Sequence, residues 1–264
     1  MSATQPTPAI EMQAVTVSAM RDATHTVVEA VNWTVAPGEF WVLAGAQKSG
    51  KTDLLLLTAG LMPPMNGTYQ LFGRDTRDFG EAELAERLRV GLVFAQGQLF
   101  HELTVAENIA LPLRYHRNLE ADEAERASRE LLELLELTPL ADAAPDSVSL
   151  DWRKRAALAR ALALRPQLLL CDNPLTGLGP RHRQWWLRFL DQLAQGHDLY
   201  AGLPITLVVT AEELGPWKNP ARRYAVLRDR RFFPLGTWAE LEAAGDPAAA
   251  ELLAGPAAPT PPSN

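Results

Sequence analysis

The apolar residues of this chain follow two periods, and the order of these periods predicts an α/β protein. Residues 11–17 and 25–34 alternate apolar and polar side chains, which is typical of strands with one buried face. The segments Phe40–Ala44, Gln167–Cys171 and Ile205–Val209 are instead predominantly apolar throughout. Such runs predict strands of a parallel sheet that is covered on both faces.

Helical spacing replaces the strand pattern in two places. Thr52–Gly60 contains consecutive leucines and ends on glycine, which predicts a buried helix with a glycine cap. The segment between about 104 and 165 has a helical pattern, and Ala121–Leu137 within it places apolar residues on one stripe. We therefore expect a helical insertion between the strands. Further on, Tyr224–Leu227 and Arg231–Phe233 predict a hairpin.

Composition and charge exclude several classes of protein. The 264 residues are 47% hydrophobic, enough to bury a core, and the single cysteine, Cys171, cannot form an internal disulfide and is interpreted as a core residue. Asp and Glu number 32 against 25 Lys and Arg, and this net charge of -7 argues against a nucleic-acid partner. The start, MSATQPTPAI, lacks the features of a secretion signal, and no apolar run approaches the roughly 18–20 residues that span a bilayer. We expect a soluble, cytoplasmic protein.

The strongest local motif lies between a predicted strand and a predicted helix. It reads Gly45-Ala46-Gln47-Lys48-Ser49-Gly50-Lys51-Thr52 and fits the pattern G-x-x-x-x-G-K-[ST]. In such a loop the backbone N–H groups surround phosphate oxygens, the lysine reaches the terminal phosphates and the hydroxyl holds Mg²⁺. The alternative is a chance match, but the flanking strand and helix favour phosphate binding.

A carboxylate at the end of a second apolar strand supplies the expected metal partner. Asp172 directly follows Leu168–Cys171, the arrangement by which phosphate-binding folds hold Mg²⁺. A strand-terminal Asp can also serve as a helix cap or turn residue. Together with the phosphate loop, Asp172 and Thr52 indicate a Mg²⁺ site beside bound ATP.

With these motifs in place, the chain from about 11 to 254 resembles the ATP-binding subunit of ABC transporters. Further pieces occur in the family's order: a Q-loop region at Val93–Phe100, a helix start at Leu103–Ile109, Arg155–Ala161 after the signature region, and a strand at Val208–Thr210. The resemblance implies a P-loop NTPase fold of ABC type, an α/β fold with a RecA-like parallel sheet core, an antiparallel β subdomain and a helical subdomain at about 100–165. It implies a single nucleotide-binding domain over 1–255, followed by a disordered Pro-rich tail at 256–264.

Within that family, the segment from Phe100 onward and the end of the chain, from Trp238–Leu241 to Glu251–Gly255, are most similar to the ATPases of Mla-type phospholipid transport systems. The resemblance implies a membrane permease as partner, a homo- or heterodimer of ATP-binding subunits, and a peripheral location at the inner face of the membrane. Family members receive a helix of the permease in a groove that corresponds to about Ala95–Tyr115. The side chains of that segment would line the groove or form internal core: Phe100, Leu103, Leu111, Leu113 and Tyr115.

At the reacting centre the sequence departs from the family pattern. Asn173 replaces the catalytic Glu that polarises the attacking water, and an amide cannot accept the proton. Ala211 replaces the switch histidine, and a methyl group offers no hydrogen bond to a phosphate. The Q-loop glutamine position falls on Ala95, with Gln96 one place late. The resemblance therefore yields no catalytic residue in this chain.

Three further motifs are altered in the same way. The D-loop pattern of leucine followed by Asp reads Leu178-Gly179, and the aromatic residue that stacks on adenine is replaced by Ala19 or Met20. The signature, which in the family presents glycine amides to the phosphate bound by the opposite subunit, reads Val148–Trp152 with Leu150 and Asp151 at the glycine positions. A carboxylate about 4 Å from a phosphate charge is repelled by up to about 4 kcal/mol at an effective dielectric of 20.

Two substitutions in the phosphate loop leave alternatives open. Lys48 takes the place of the middle loop glycine, and Asp53 follows Thr52 where a second hydroxyl is usual. Lys48 either adds a phosphate contact or fills the pocket with its own ammonium, paired with Asp53 or Asp172. The basic stretch Arg153-Lys154-Arg155, with Arg160 and Arg165, either contacts nucleotide or a partner or forms a solvated helix face, and we favour the solvated face.

These departures lead to a pseudo-ATPase as the favoured interpretation. Such a subunit keeps a pocket for ATP and Mg²⁺ but has weakened or lost hydrolysis, and it acts as a structural or regulatory partner of a permease. One alternative is an active ATPase that uses displaced residues such as Gln96, Glu212 or Glu213. Another is a scaffold that no longer binds nucleotide.

Overall fold

A single ten-stranded sheet runs through the computed structural model, which describes residues 6–80 and 84–244. Its strands are β1 (Ile10–Ala19), β2 (Asp22–Val35), β3 (Phe40–Gly45), β4 (Asn66–Leu71), β5 (Arg74–Asp75), β6 (Val90–Val93), β7 (Leu168–Cys171), β8 (Thr206–Ala211), β9 (Arg222–Arg228) and β10 (Arg231–Thr237). The spatial order is β5-β4-β1-β2-β10-β9-β3-β8-β7-β6. The predicted tail at 256–264 and the segment Glu251–Gly255 lie outside the described residues.

The sheet has a parallel half and a mostly antiparallel half, as the sequence predicts. Strands β9, β3, β8, β7 and β6 pair in parallel, so their carboxyl ends meet at one edge of the sheet. Strands β1, β2, β4 and β5 pair antiparallel with one another. The predicted hairpin is confirmed as β9 and β10, which pair from Arg231 opposite Arg228.

The predominantly apolar strands have core on both faces. Val42 and Ala44 of β3 pack into one cluster with the helices that carry the insertion, whereas Trp41 and Leu43 pack into a second cluster with the antiparallel strands. Strand β7 alternates in the same way along its length. Because neither face of these strands meets water, their sequences show no alternation.

Seven helices accompany the described sheet: α1 (Lys51–Thr58), α2 (Leu84–Arg87), α3 (Val105–Arg117), α4 (Ala121–Leu134), α5 (Leu150–Leu162), α6 (Pro180–Gln195) and α7 (Trp238–Ala244). The predicted helical insertion corresponds to α3, α4 and α5, which pack on one another. Within residues 6–80 and 84–244, none of the helices combines the length and the apolar character that crossing a bilayer requires.

The backbone conformation of single residues determines where helices α1 and α4 end. Gly60 adopts a left-handed φ of 71° after α1, as a glycine cap requires. Helix α4 ends three residues before the predicted Leu137, because Glu136 turns to a φ of 59° and the N–H of Leu137 bonds back to the carbonyl of Leu132 at 2.7 Å. The helical period alone could not reveal this reversal, since Leu135 and Leu137 remain buried after the turn.

Cys171 is the last residue of β7 and is fully buried between β6 and β8. Burial raises the pKa of its thiol, and the neighbouring negative charge of Asp172 acts in the same direction. The interpretation of this residue as part of the core is therefore confirmed. Its neighbour Asp172 is the first polar residue beyond the strand, so packing of β7 fixes where that carboxylate lies.

We expect Leu170→Ala in β7 to lower the free energy of unfolding by about 2–5 kcal/mol, because it removes a fully buried side chain and leaves a cavity. Urea denaturation at equilibrium measures the change. Leu203→Ala is the matched control, since Leu203 is 67% exposed and its truncation should change stability by less than about 0.5 kcal/mol. Equal losses in the two variants would contradict the packing described.

Candidate functional site

The phosphate loop connects β3 to α1 at the carboxyl edge of the parallel strands. Gly50 precedes α1 with a φ of 91° and provides no side chain to cap the first N–H groups of the helix. A Cβ on Gly50 would lie 2.8 Å from a methyl group of Val28, and one on Gly45 would lie 2.7 Å from the carbonyl oxygen of Leu227. Both glycines are therefore required by close packing, and the helix N–H groups remain available to an anion.

Lys51 lies under this loop and is only 5% exposed. Its ammonium donates hydrogen bonds to the carbonyl oxygens of Gly45 and Ala46, at 2.6 and 2.7 Å. Burial lowers the pKa of Lys51, and the negative charges of Glu212 and Asp172 oppose that shift.

The carboxylate of Asp172 is held from two sides. The hydroxyl of Thr52 donates to one of its oxygens at 3.0 Å, and the hydroxyl of Thr210 donates to the other at 2.6 Å. The structure thus brings together the two residues that the sequence assigns to the metal. Hydroxyl and carboxylate oxygens are ligands that Mg²⁺ prefers, so these residues fit the ion that accompanies ATP.

A shallow pocket of about 130 Å³ opens above these groups. Its lining combines most of the predicted cofactor-binding residues with two later ones: Gln47, Lys48, Ser49, Gly50, Lys51, Thr52, Asp53, Asn173 and Glu212. Gly45 and Ala46 form the start of the loop and contribute the carbonyl groups that hold Lys51. All predicted cofactor-binding positions therefore lie in or beside one pocket.

The structure distinguishes between the alternatives for Lys48. Lys48 is exposed at a left-handed φ of 62°, and within the described residues it forms no ion pair with Asp53 or Asp172. Asp53 instead accepts a hydrogen bond from the N–H of Met20 at 2.8 Å, which ties the β1–β2 turn to α1. The ammonium of Lys48 therefore does not fill the pocket by pairing with these carboxylates.

Asn173 and Ala211 lie where the resemblance expects catalytic groups. The N–H of Asn173 donates to the hydroxyl of Thr210 at 2.9 Å, and its side-chain oxygen is buried without a hydrogen-bond partner among the described residues. Ala211 ends β8 opposite Ala44 of β3 and is buried. Both residues line a second cavity of about 210 Å³ that adjoins the phosphate pocket at Asn173 and Glu212. Neither side chain can accept a proton from water.

The three candidates for a displaced catalytic role, Gln96, Glu212 and Glu213, lie in different surroundings. Glu212 lines the phosphate pocket, whereas Glu213 forms an ion pair with Arg183 of α6 and lines only the adjoining cavity. Gln96 is exposed and does not line the phosphate pocket. Glu212 is therefore the one candidate of the three that the fold brings to the phosphate loop.

Sequence reasoning missed the role of Lys154. The prediction of a solvated basic face is wrong, because Lys154 and Arg155 are each 1% exposed. The ammonium of Lys154 donates to the carbonyl oxygens of Asn173, Pro174 and Thr176, at 3.1, 3.3 and 2.6 Å. Burial lowers the pKa of Lys154 to about 8, and the negative charges of Asp151 and Asp172 oppose the shift. Lys154 thus holds the loop that carries Asn173.

The guanidinium of Arg155 is buried between two indole rings. It lies 4.5 Å from the ring centre of Trp152 and 3.8 Å from that of Trp185, and it donates to the carboxylate of Glu136 at 2.8 Å. Trp186 is fully buried, and its neighbour Trp185 is half-buried. A helical-wheel signal was present in the sequence, since Lys154 and Leu158 lie four residues apart on the buried side of α5.

The signature segment forms the start of α5, which begins at Leu150. A Cβ on Gly177 would lie 3.1 Å from the side chain of Leu150, so the signature packs directly on the loop that follows β7. Asp151 lies in the first helical turn, where a carboxylate interacts favourably with the helix dipole. One of its oxygens is buried without a hydrogen-bond partner among the described residues.

The predicted groove divides into surface and core. Phe100 and Tyr115 are 53% and 74% exposed, and together with Leu111 they line a groove of about 470 Å³. Leu113 is buried in the helical core. In this segment, Phe100, Leu111 and Tyr115 therefore line the groove, whereas Leu113 is part of the internal core.

Comparison with known proteins identifies relatives across most of the chain. A family model described as ABC transporter matches residues 28–176, which is more than half of the chain. The methionine import ATP-binding protein MetN 2 of Rhodococcus jostii (strain RHA1) is 34% identical over 239 residues, a match that spans 88% of this chain but only 66% of that relative. The intermembrane phospholipid transport system ATP-binding protein MlaF of Escherichia coli (strain K12) is 29% identical over 242 residues, 89% of this chain and 88% of the relative.

Two solved structures have a fold similar to that of this chain. The dimeric ATP-binding cassette MJ0796, in a post-hydrolysis state bound to ADP and Pi, matches with a TM-score of 0.73 and 27% identity over 84% of this chain and 95% of that one. The structure of cbiO1 from Clostridium perfringens, part of the transporter complex cbiONQ, matches with a TM-score of 0.74 over 92% of this chain and 93% of that one. At 19% identity, the second match concerns the fold alone.

We expect the contribution of Lys154 to stability to increase as the pH rises from about 8 towards 10.5. Its folded pKa of about 8 is below the unfolded value of 10.5, so the unfolded chain binds the extra proton in that window. The difference in the free energy of unfolding between wild type and Lys154→Met should therefore grow with pH. Urea denaturation of both proteins at several pH values measures it, and the subtraction removes the titration of other groups. A difference that is constant or falls over this window would contradict the assignment.

Proposed function

This chain belongs to the ABC transporter ATP-binding family, and we propose that it is a subunit that binds ATP with Mg²⁺ but has lost most or all of its hydrolytic activity. In this role it is a structural or regulatory partner of a membrane permease. The observation that supports the proposal is the pair Asn173 and Ala211, which line the cavity that adjoins the phosphate pocket. The family resemblance aligns these two positions with a proton acceptor and a phosphate-contacting side chain.

The proposal of nucleotide binding rests on the phosphate loop and its neighbours. The uncapped start of α1 faces an anion site, Lys51 supplies a buried cation, and Thr52 and Asp172 present two oxygens to Mg²⁺. When bound, Mg²⁺ would neutralise phosphate charge beside these residues. Exposed Lys48 adds a second cation at the mouth of the pocket. These groups are sufficient for binding without any proton acceptor.

The proposal of lost hydrolysis rests on what the pocket lacks at Asn173 and Ala211. A positioned general base contributes roughly 10²–10⁴-fold to such reactions, and the amide of Asn173 cannot take that part. The Asp151 carboxylate at the start of α5 would also repel a phosphate brought to the signature by a second subunit. Two independent contributions to turnover are therefore weakened.

We assign the permease contact to the groove beside Phe100. Exposed aromatic side chains at Phe100 and Tyr115 provide apolar area for a partner helix. With this contact we propose a peripheral location at the inner membrane face. The family resemblance supports a homo- or heterodimer of such subunits, and the related cassette MJ0796 is described as dimeric. Similarity to the phospholipid transport protein over 89% of this chain supports lipid as the transported class.

A second candidate function, an active ATPase, is favoured by one observation. Glu212 follows Ala211 directly and lines the phosphate pocket with Lys51 and Asn173. Its carboxylate is the single displaced candidate close enough to raise the pKa of Lys51. In this alternative, Glu212 accepts the proton of the attacking water.

We expect calorimetric titration of the purified chain with ATP and Mg²⁺ to give a measurable heat of binding. Lys51→Ala should weaken binding by about tenfold or more, because a charge-assisted contact to phosphate is lost. Arg126→Glu on α4 is a control that changes a charge on an exposed helix face. Absence of binding by the wild type would contradict the proposal and support a scaffold that does not use nucleotide.

We expect steady ATP turnover by the purified chain to stay well below about 1 s⁻¹, the low end for working enzymes. Glu212→Gln should leave this background unchanged, and Glu213→Gln is its matched control because that carboxylate pairs with Arg183. Turnover of about 1 s⁻¹ or more would overturn the pseudo-ATPase proposal. If Glu212→Gln then abolished that turnover while Glu213→Gln did not, the second candidate function would be correct.

A further inference from the structure

Among the described residues, the phosphate pocket presents charges and hydrogen-bonding groups but no flat apolar surface. Its lining consists of residues 47–53 together with Asn173 and Glu212, whose side chains are all polar or, at Gly50, absent. Pockets that hold drug-sized ligands enclose roughly 300–1,000 Å³ and are lined mainly by apolar and aromatic side chains. The volume of about 130 Å³ here is well below that range. The described pocket therefore suits a compact anion better than it suits a base and a ribose.

The groups that attract a ligand to this pocket all act on phosphate oxygens. The uncapped N–H groups of α1 face an anion, and the lysine of such a loop reaches the terminal phosphates of the chain. Lys51 lies on the side of Asp172 and Glu212, whose charges act on its ammonium. Exposed Lys48 adds a cation at the mouth of the pocket. Because none of these groups addresses a base or a ribose, the affinity of the pocket comes from phosphate charge.

The turn between β1 and β2 is the neighbour of the pocket at Asp53. The carboxylate of Asp53, in the first turn of α1, accepts a hydrogen bond from the N–H of Met20 at 2.8 Å. Thr52, the residue before it, contacts Asp172 on the metal side of the pocket. With the terminal phosphates directed toward Lys51 and Asp172, the rest of a nucleotide extends toward this turn. Residues 19–22 are therefore the described residues beside which a nucleoside would lie.

This turn offers a base little to bind. None of its four residues, 19–22, is aromatic. The side chain of Met20 is 67% exposed, and the carboxylate of Asp22 already accepts hydrogen bonds from the N–H and the hydroxyl of Thr24, at 2.9 and 2.6 Å. Arg21 is exposed, and a guanidinium stacks on purine and pyrimidine bases alike. The turn thus has no group that distinguishes one base from another.

We infer that the pocket recognises the triphosphate chain alone, so that inorganic tripolyphosphate and nucleoside triphosphates of any base bind with similar affinity. The ligand class is then a triphosphate with Mg²⁺, whatever group is attached to the other end of the chain. The inference rests on the proposed function, because it requires that phosphates occupy this loop. It goes further in assigning no part of the affinity to adenine.

Calorimetric titrations in the presence of Mg²⁺ compare the ligands directly. Tripolyphosphate, ATP, GTP, CTP and UTP should have dissociation constants within about fivefold of one another, since they share every contact that the pocket makes. Tripolyphosphate should also displace ATP from the saturated protein. Lys51→Ala should weaken both ligands by the same factor, because both are held at the same loop. Arg126→Glu on the exposed face of α4 is the control and should change neither.

A ring added to the turn tests where the nucleoside lies. Met20→Tyr should tighten ATP binding by about tenfold, the order of affinity that aromatic stacking on a base adds, and should leave tripolyphosphate binding unchanged. Leu203→Tyr is the matched control. Leu203 is also 67% exposed, but it precedes β8 and lies at the opposite end of the parallel strands from the phosphate loop. Leu203→Tyr should change neither dissociation constant.

The results separate failure of the inference from failure of the proposed function. If the wild type binds ATP more than about tenfold tighter than tripolyphosphate, or than the other three nucleotides, the inference is wrong and the proposed function stands. A Met20→Tyr variant that gains nothing for ATP would also contradict the inference, because the turn would then not lie beside the nucleoside. Absence of binding for all of these ligands would overturn both.

Discussion

The carboxylate of Asp172 holds together three segments that are far apart in the sequence. Its two oxygens accept hydrogen bonds from Thr52 at the start of α1 and from Thr210 in β8. The hydroxyl of Thr210 also accepts the N–H of Asn173, so the same small network fixes the first residue of the loop after β7. Because the network lies at the end of fully buried strands, it determines where the phosphate loop, the Thr52 hydroxyl and Asn173 lie relative to one another.

Two buried lysines complete this arrangement from opposite sides. Lys51 is held by carbonyl groups of the phosphate loop, and Lys154 is held by carbonyl groups of the loop after β7. The negative charge of Asp172 stabilises both cations. Buried cations of this kind persist only when they are fully hydrogen-bonded and paired. Charged side chains of the protein itself therefore fix the arrangement at the carboxyl edge of the parallel strands, without a bound ligand.

Most of the fold could be predicted from the sequence because the decisive signals are local. Strands with two buried faces are continuous apolar runs, and the phosphate loop is a contiguous motif, so β3, β7, β8 and α1 were all expected. The burial of Lys154 was not expected, because a basic triplet in a helix normally lies on a solvent-exposed face. Whether such a residue is buried depends on the segments that pack against the helix. The pairing of Glu213 with Arg183 likewise depends on how α6 packs beside the end of β8, which no short pattern encodes. Site geometry that comes from contacts between distant segments was the part that sequence could not provide.

The burial of Cys171 determines how its thiol can react. The thiolate is the reactive form of cysteine, and here the thiol is enclosed by strands on both sides with its ionisation suppressed by burial. Its side chain packs into the buried core on one face of the sheet, so a thiol reagent can reach it only after that core has opened. Since this is the one cysteine of the sequence, its modification rate reports how often this part of the core opens.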